Sequence, residues 1–252
     1  MLKTVQRFLR RVLLLFVLSS VGAVVMYRWV PVYVTPLMLI RAYQQIGRGE
    51  KVRLKHHWVS LDEGMSLYMP IAVMAAEDQL FLTHRGFDFK QIGIAVEEFG
   101  KGKRQRGAST ITQQTAKNVF LWPAHSWVRK GLEVYFTCLI EILWDKHRIM
   151  EVYLNSIEMG DGIYGAEAVA QQHFSRPATD LSRANCALIA ATLPNPLKLS
   201  SKEPSAYVLR RQSWIMGQMR HIDIFPKKII IFCQIRHLNE FFFISLPRKL
   251  AF

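Results

Sequence analysis

The spacing of hydrophobic residues changes several times along the chain, and the first change marks a membrane-like segment. Residues 12–27 form an unbroken, largely apolar run, which continues to residue 34 after one arginine and which Lys3, Arg7, Arg10 and Arg11 precede. Crossing a bilayer takes about 20 residues, and flanking basic residues stay in the cytoplasm. The pattern therefore predicts an uncleaved single-pass anchor with the rest of the chain outside. A cleaved signal peptide is the alternative interpretation.

Helical spacing appears from Pro70 onward, because proline suits the first turn of a helix. Gly86 ends this run. Glu77 lies within it, with Phe81 four residues later on the same predicted face. An acidic residue in apolar surroundings near a helix end is typical of a tuned general acid or base. A solvated glutamate at a helix edge is the alternative. The predicted apolar face comprises Ile71, Met74, Ala75 and Leu82.

A polar helix is predicted after a second helix at residues 87–96 and a basic loop at 100–107. Ser109 is its predicted N-cap. Its residues include several threonines, glutamines and an asparagine, which are middling to poor helix formers. A solvated surface usually favours Glu, Lys and Arg, so this stripe indicates hydrogen bonding to sugar hydroxyls and phosphate oxygens. Its members are Thr110, Gln113, Gln114, Lys117 and Asn118.

Four more helices are predicted, the first of them capped by Ser126. Arg129 and Glu133 lie four residues apart on that helix, as an ordinary ion pair or as the wall of a cleft. The other three cover residues 145–157, 181–193 and 204–220, and a glycine-rich turn at 160–165 allows close backbone approach. The predicted apolar face of the Ser126 helix comprises Val128, Leu132, Tyr135, Leu139 and Ile142.

Charge and cysteine content narrow the class of partner. The chain of 252 residues has a net charge of +14, which favours anionic partners, but it contains no nucleic-acid-binding motif. Cys138 and Cys186 lie in apolar helical runs and are predicted to be small core residues. Together with Cys233 they cannot all pair with one another, and no metal-ligand spacing links Cys and His.

Four motifs follow one another in a fixed order. They are Glu77-Asp78…Phe81…His84…Gly86, then Gly107-x-Ser-Thr-Ile-Thr-Gln-Gln-x-x-Lys-Asn118, then Arg129-Lys130-x-x-Glu133, and finally Lys146-x-Arg-Ile-x-Glu-x-Tyr-Leu-Asn155. Together they resemble the peptidoglycan glycosyltransferase family over about residues 55–220. A single domain behind one anchor, without a penicillin-binding domain, is most similar to the monofunctional members. The resemblance implies a mainly α, lysozyme-like helical domain. The expected organisation is a basic flank and transmembrane anchor at 1–34, a connector at 35–54, the glycosyltransferase domain at 55–222 and an apolar tail of unknown role at 223–252.

The resemblance implies that the enzyme joins the disaccharide units of lipid II into β-1,4 glycan strands. Glu77 would take the proton of the acceptor 4-hydroxyl while undecaprenyl pyrophosphate leaves from the opposite face, with inversion at the anomeric carbon. Glu133 would assist its departure directly or by holding a divalent cation such as Mg2+; no organic cofactor is implied. Lys117, Arg129 and Lys130 would supply positive charge. The remaining implied substrate-binding residues are Asp78, His84, Ser109, Thr110, Gln113, Gln114, Asn118 and His125.

The implied partners are lipid II, the growing lipid-linked glycan chain and the membrane, with no nucleic acid. Other proteins of cell-wall synthesis and division are candidate partners. The implied location is the bacterial inner membrane, with a periplasmic catalytic domain. A lysozyme-like glycan-cleaving hydrolase and a non-catalytic scaffold of the wall machinery are the alternatives. The chain departs from the family pattern at two positions, because the family usually has Glu where Asn185 stands and Arg where His125 stands.

Overall fold

The chain is mainly helical, as predicted. A computed structural model describes residues 2–100, 109–124 and 126–226. The predicted basic loop, His125 and most of the predicted tail lie outside these residues. Within them, the α-helices are α1 Leu2–Tyr27, α2 Pro36–Gly47, α3 Tyr68–Glu77, α4 Phe89–Gly100, α5 Ile111–Phe120, α6 Trp127–Leu143, α7 Lys146–Ser156, α8 Ala166–Phe174, α9 Arg183–Thr192 and α10 Ala206–Gln218. The strands are β1 Lys55–His56, β2 Glu158–Gly160 and β3 Ile163–Tyr164, and a 3-10 turn covers Ala178–Asp180.

One hydrophobic core joins the helices that carry the motifs. Helix α5 packs against α6 and α7, while α3 packs against α9 and α10. Phe81, Ile111, Ile140 and Tyr153 are fully buried between these helices. Burial of large apolar side chains is the main favourable contribution to folding, so these contacts fix where the helix ends lie.

A small sheet in the order β1-β3-β2 connects the chain before α3 to the segment after α7. β1 is parallel to β3, and β2 pairs with β3 in an antiparallel hairpin. Gly165 follows this hairpin with φ +83°, and a Cβ atom there would lie 2.7 Å from the Asn155 carbonyl oxygen. The close backbone approach predicted for the glycine-rich turn is therefore present.

The predicted ends of α3 and α5 were wrong by a few residues. Thr110, not Ser109, caps α5, because its hydroxyl accepts from the Gln113 N–H while the Gln113 side chain accepts from the Thr110 N–H. Helix α3 ends at Glu77, so Phe81 lies beyond it in a turn. Asp78 leaves the helix because its carboxylate pairs with groups outside α3, as described below.

The buried face of α6 also differs from the prediction. Val128 and Ile142 are 72% and 77% exposed, whereas Phe136 and Ile140 are buried together with Glu133. Glu133 can be buried because two basic neighbours, Arg129 and Lys130, neutralise its charge. The spacing of hydrophobic residues does not reveal a buried acid of this kind. Cys138, on the same helix, is exposed and is not the predicted core residue. Cys186 is buried, as predicted.

The segment predicted as a plain connector contains a helix. Thr35 caps α2 by accepting from the Met38 N–H, and Pro36 occupies its first turn. These are ordinary start signals of a helix. The helix packs against α5 and therefore lies beside the second motif.

Helix α1 suits a single-pass membrane anchor. Within the described ranges it is the one helix long and apolar enough to cross a membrane, over Lys3–Tyr27. Its second half also contacts the domain. The Ser20 hydroxyl lies 2.7 Å from the Tyr135 hydroxyl, and the Trp144 indole N–H donates to the Val24 carbonyl oxygen at 2.7 Å. The anchor is thus packed on α6 rather than tethered by a loose chain.

Arg148 of α7 satisfies the backbone where α1 ends. Its Nε and Nη2 donate to the Tyr27 carbonyl oxygen at 3.0 and 2.9 Å, and Nη2 donates to the Val30 carbonyl oxygen at 2.6 Å. Its Nη1 pairs with Glu151. The last carbonyl groups of a helix have no partner within it. The buried guanidinium of Arg148 supplies these donors and links the end of α1 to α7.

We expect Arg148→Ala to lower the free energy of unfolding by about 3 kcal/mol, because it leaves Glu151 without its charged partner and the Tyr27 carbonyl oxygen without its donor. Thermal or denaturant unfolding of the full chain in detergent micelles measures this loss. Arg28→Ala is the control, because Arg28 is exposed and lies over the Trp29 ring. That variant should change stability by less than about 1 kcal/mol. Equal losses in both variants would contradict the role given to Arg148.

Candidate functional site

Glu77 is the last residue of α3, and two side chains hold its carboxylate. Gln114 donates to Oε2 at 3.1 Å, and Arg211 Nη2 lies 3.6 Å from Oε1. Burial raises the pKa of Glu77, while the Gln114 hydrogen bond and the charges of Arg211 and Lys117 oppose that rise. The neighbouring Asp78 adds to it. A carboxylate with a raised pKa is a stronger base, which suits proton removal near neutral pH.

Tyr153 determines which end of the Gln114 amide faces Glu77. Its hydroxyl donates to Gln114 Oε1 at 3.2 Å, so the amide nitrogen is directed to the carboxylate. Tyr153 is fully buried, and burial raises its pKa well above the ordinary value, with Glu77 and Asp78 contributing. The phenol therefore stays protonated and remains a donor.

Asp78 joins the end of α3 to the start of α5. Its buried carboxylate accepts from the Ile111 N–H at 3.0 Å and from His84 Nε2 at 2.8 Å. The Gly86 N–H donates to His84 Nδ1, so the ring proton is on Nε2. The Thr110 hydroxyl donates to the Gly86 carbonyl oxygen at 2.7 Å. The predicted substrate residues Asp78, His84 and Thr110 therefore use these groups within the protein, where they position the two helices.

Glu77 lines a cavity of about 310 Å³, which we call the Glu77 cavity. Ser109, a predicted substrate residue, is in its wall. Gln113, another predicted one, is buried in the cap of α5. The side chain of Trp214 from α10 also lines this cavity and is half exposed. The residues used here to define the Glu77 cavity are Glu77, Asp78, Asp88, Ser109, Thr110 and Trp214.

A second cavity, of about 350 Å³, is lined by the basic residues Arg41, Lys117 and Arg129. We call it the cationic cavity. Gln114 lies in its wall and also binds Glu77, so the two cavities adjoin there. Burial lowers the pKa of Lys117, and the charges of Arg129 and Lys130 lower it further, whereas Glu133 and Glu77 oppose them. The residues used here to define the cationic cavity are Arg41, Gln114, Lys117, Asn118, Arg129 and Glu158.

Glu133 is buried beneath this cavity between two cations. Arg129 Nη1 lies 2.6 Å from Oε2, and Lys130 Nζ pairs with Oε1. The ion pair predicted between Arg129 and Glu133 is therefore present, and Lys130 is a second cation on the same carboxylate. Both carboxylate oxygens are occupied by cationic groups. No cluster of three His, Cys, Asp or Glu side chains suited to a metal ion occurs in the described part of the chain. The expectation of a divalent cation such as Mg2+ held at Glu133 stays a prediction.

The two departures from the family pattern have different outcomes. Asn185 completes the cap of α9, because its side chain accepts from the Ser182 N–H at 3.2 Å while the Ser182 hydroxyl accepts from the Asn185 N–H. Glutamate usually fills this position of a capping box, and asparagine performs the same task here. His125 lies outside the described residues, so its role stays a prediction.

Three side chains of the site were not predicted from the sequence. Arg211 approaches Glu77 from α10, Trp214 lines the Glu77 cavity, and Arg41 lines the cationic cavity from α2. The segment of α10 was predicted as a basic helix, but nothing in its spacing indicates that one arginine points to a residue more than 130 positions earlier.

Comparison with known proteins agrees with this arrangement. A family model described as "Transglycosylase" matches residues 43–220. The chain belongs to the transglycosylase family. This membership confirms the resemblance drawn from the four motifs, the lysozyme-like helical fold and the predicted enzyme class, a glycosyltransferase.

Relatives of the transglycosylase cover most of its length. A protein of Bacteroides thetaiotaomicron is 57% identical over 225 residues, covering 89% of this chain and 90% of that protein. One from Caulobacter vibrioides is 52% identical, over 82% of this chain and 89% of its own. One from Bdellovibrio bacteriovorus is 50% identical, over 86% of each. All three are named biosynthetic peptidoglycan transglycosylase.

Arg211 should set the pH at which the transglycosylase loses activity in acid. Its charge favours the ionised form of Glu77 and lowers the pKa of that carboxyl. Arg211→Gln should raise this pKa further, so the acidic limb of kcat/KM should move to higher pH. The pH–rate profile of each variant measures the limb. Arg210→Gln, on the exposed side of the same helix, is the matched control and should leave it in place. Superimposed profiles for Arg211→Gln and wild type would contradict this role.

Proposed function

We propose that the chain polymerises lipid II into β-1,4 glycan strands, with release of undecaprenyl pyrophosphate and inversion at the anomeric carbon. The observation that carries this proposal is the position of Glu77. Its carboxylate, with a raised pKa, lies where the Glu77 cavity meets the cationic cavity at Gln114. A base for the acceptor and an anion-binding wall for the leaving group are therefore adjacent. The relatives' names, biosynthetic peptidoglycan transglycosylase, agree with this substrate.

The acceptor end of the reaction belongs to the Glu77 cavity. The 4-hydroxyl of the acceptor sugar would lie within hydrogen-bond reach of Glu77, which takes its proton as the oxygen attacks the donor anomeric carbon. Gln114 and Arg211 hold the carboxylate in place before the reaction. Ser109 offers a hydroxyl in the same cavity for a sugar group.

The donor end belongs to the cationic cavity. Negative charge grows on the diphosphate oxygen as the glycosidic bond breaks, and fixed cations stabilise that charge. Lys117 and Arg129 line this cavity, and Asn118 adds an amide. Glu133 keeps Arg129 and Lys130 oriented through its two carboxylate oxygens. Its part in the departure of the leaving group is thus to position cations.

The anchor places the active site beside its lipid substrate. The basic residues before the apolar part of α1 favour a cytoplasmic N-terminus in the inner membrane and a periplasmic domain. Confining enzyme and lipid II to one surface raises their effective concentration. Other proteins of cell-wall synthesis and division remain candidate partners.

Glu77→Gln should retain the fold and lose polymerisation by at least about a hundredfold, because the amide has nearly the same shape but cannot accept the proton. Glycan chain length and amount, measured on gels after adding lipid II to the full chain in detergent or liposomes, report the activity. Glu63→Gln changes an exposed glutamate before α3 and should polymerise normally. Near-normal polymer from Glu77→Gln would refute the assignment, and absence of polymer from the wild type would refute the function.

Glu133→Gln should lower kcat by at least about tenfold, because the amide no longer orients both cations for the leaving group. Glu141→Gln is the control for losing a buried ion pair on the same helix. Glu141 pairs with Lys146 and accepts from the Thr112 hydroxyl. Steady-state rates with lipid II and unfolding temperatures of both variants separate catalysis from stability. If both variants lose activity in proportion to stability, Glu133 has no special part in the reaction.

A further inference from the structure

Helix α2 forms one wall of the cationic cavity. Leu37 and Arg41 of this helix line the cavity opposite residues of the second and third motifs. Both lie before residue 43, where the match to the transglycosylase family begins. The wall is therefore supplied by a segment outside the matched region, and its contribution follows from tertiary packing alone.

Arg41 is held in a fixed orientation. Its Nε lies 3.1 Å from Oε1 of Glu158 and its Nη2 lies 3.2 Å from Oε2, a two-pronged pair. Nη1 donates to the Gln44 side chain at 3.3 Å. Glu158 is the buried first residue of β2, whereas the Arg41 side chain is 31% exposed. A planar guanidinium fixed on one edge is preorganised to bind phosphate with its remaining N–H groups.

Arg41 adds to a cavity in which the positive charge of the other basic side chains is partly offset. Glu133 pairs with Arg129 and Lys130 and offsets part of their charge. Lys117 has a lowered pKa. The positive charge that Lys117, Arg129 and Lys130 present to a diphosphate is therefore reduced. Arginine stays charged at any working pH, and Glu158, which offsets part of the Arg41 charge, leaves N–H groups of Arg41 that neither Glu158 nor Gln44 uses.

We infer that Arg41 binds the diphosphate of the donor, together with Lys117 and Arg129, and that Glu158 positions it. This inference rests on the proposed function, because it takes the cationic cavity as the diphosphate site. Only residues 28–35 separate α1 from α2, and Arg148 fixes the end of α1. The anchor therefore also sets the position of one diphosphate-binding side chain, which couples the donor site to the membrane.

Binding of farnesyl pyrophosphate, a short prenyl diphosphate, to the full chain in detergent tests the inference without turnover. Arg41→Gln should weaken binding about tenfold, as expected for the loss of a charge-assisted hydrogen bond. Arg48→Gln, at the exposed end of the same helix beside Glu50, should bind as wild type does. Farnesol, which lacks the diphosphate, should show no difference among the variants.

Glu158→Gln and the double variant separate direct contact from the alternatives. Glu158→Gln removes a negative charge but keeps an oxygen for Arg41, so it should bind farnesyl pyrophosphate at least as tightly as wild type. The double variant Arg41→Gln/Glu158→Gln keeps the net charge but should remain as weak as Arg41→Gln. Wild-type affinity in the double variant would show that only long-range charge matters and would overturn the inference. Equal weakening by both single variants would reduce the pair to a structural link and overturn it as well.

The activity of the wild type keeps the two proposals distinguishable. A wild-type chain that neither polymerises lipid II nor binds farnesyl pyrophosphate contradicts the proposed function itself. A wild-type chain that does both, with an Arg41→Gln variant of unchanged affinity, contradicts only the role of Arg41. In polymerisation assays, the inference expects Arg41→Gln to raise the KM for lipid II.

Discussion

The buried carboxylate of Asp78 is the constraint on which the site depends. An ionised group away from water is costly unless each oxygen has a partner, so Asp78 retains both Ile111 N–H and His84. These two hydrogen bonds end α3 at Glu77 and place the start of α5 beside it. Gln114 lies one turn into α5 and thus comes within reach of the Glu77 carboxylate. The surroundings of Glu77 therefore depend on the contacts of Asp78 as well as on those of Glu77 itself.

Burial disfavours the charged forms of both Glu77 and Lys117. Burial raises the pKa of Glu77 and lowers that of Lys117. Two titratable side chains with shifted pKa values therefore lie near Gln114. An arriving diphosphate would favour the charged form of Lys117. Arg211 beside Glu77 and Arg41 in the wall of the cationic cavity keep their positive charge at any working pH. In the proposed reaction, donor binding and acceptor activation would depend on neighbouring but separate groups.

Most helices were predictable because periodicity and capping residues are local properties. Ser126, Asp145 and Ser205 each cap the helix that follows them, and the last of these was predicted only approximately. The errors occurred where tertiary partners compete with local signals. Two basic neighbours allow Glu133 to be buried on α6, while Val128 and Ile142 of the predicted apolar face are exposed. α2 was missed although Thr35 and Pro36 carry the start signals of a helix.

The sequence by itself determined the anchor, the helical class and the four motifs, because each is written in residue type and short spacing. It also brought Glu77, Lys117 and Glu133 to attention as candidates. Only the tertiary structure decided that Asp78 and His84 position helices, and that Arg211 and Arg41 belong to the site. Asp78 contacts Ile111 33 positions later, and Arg41 contacts Glu158 117 positions later. Their proximity depends on how the helices pack, and no local sequence pattern predicts that packing.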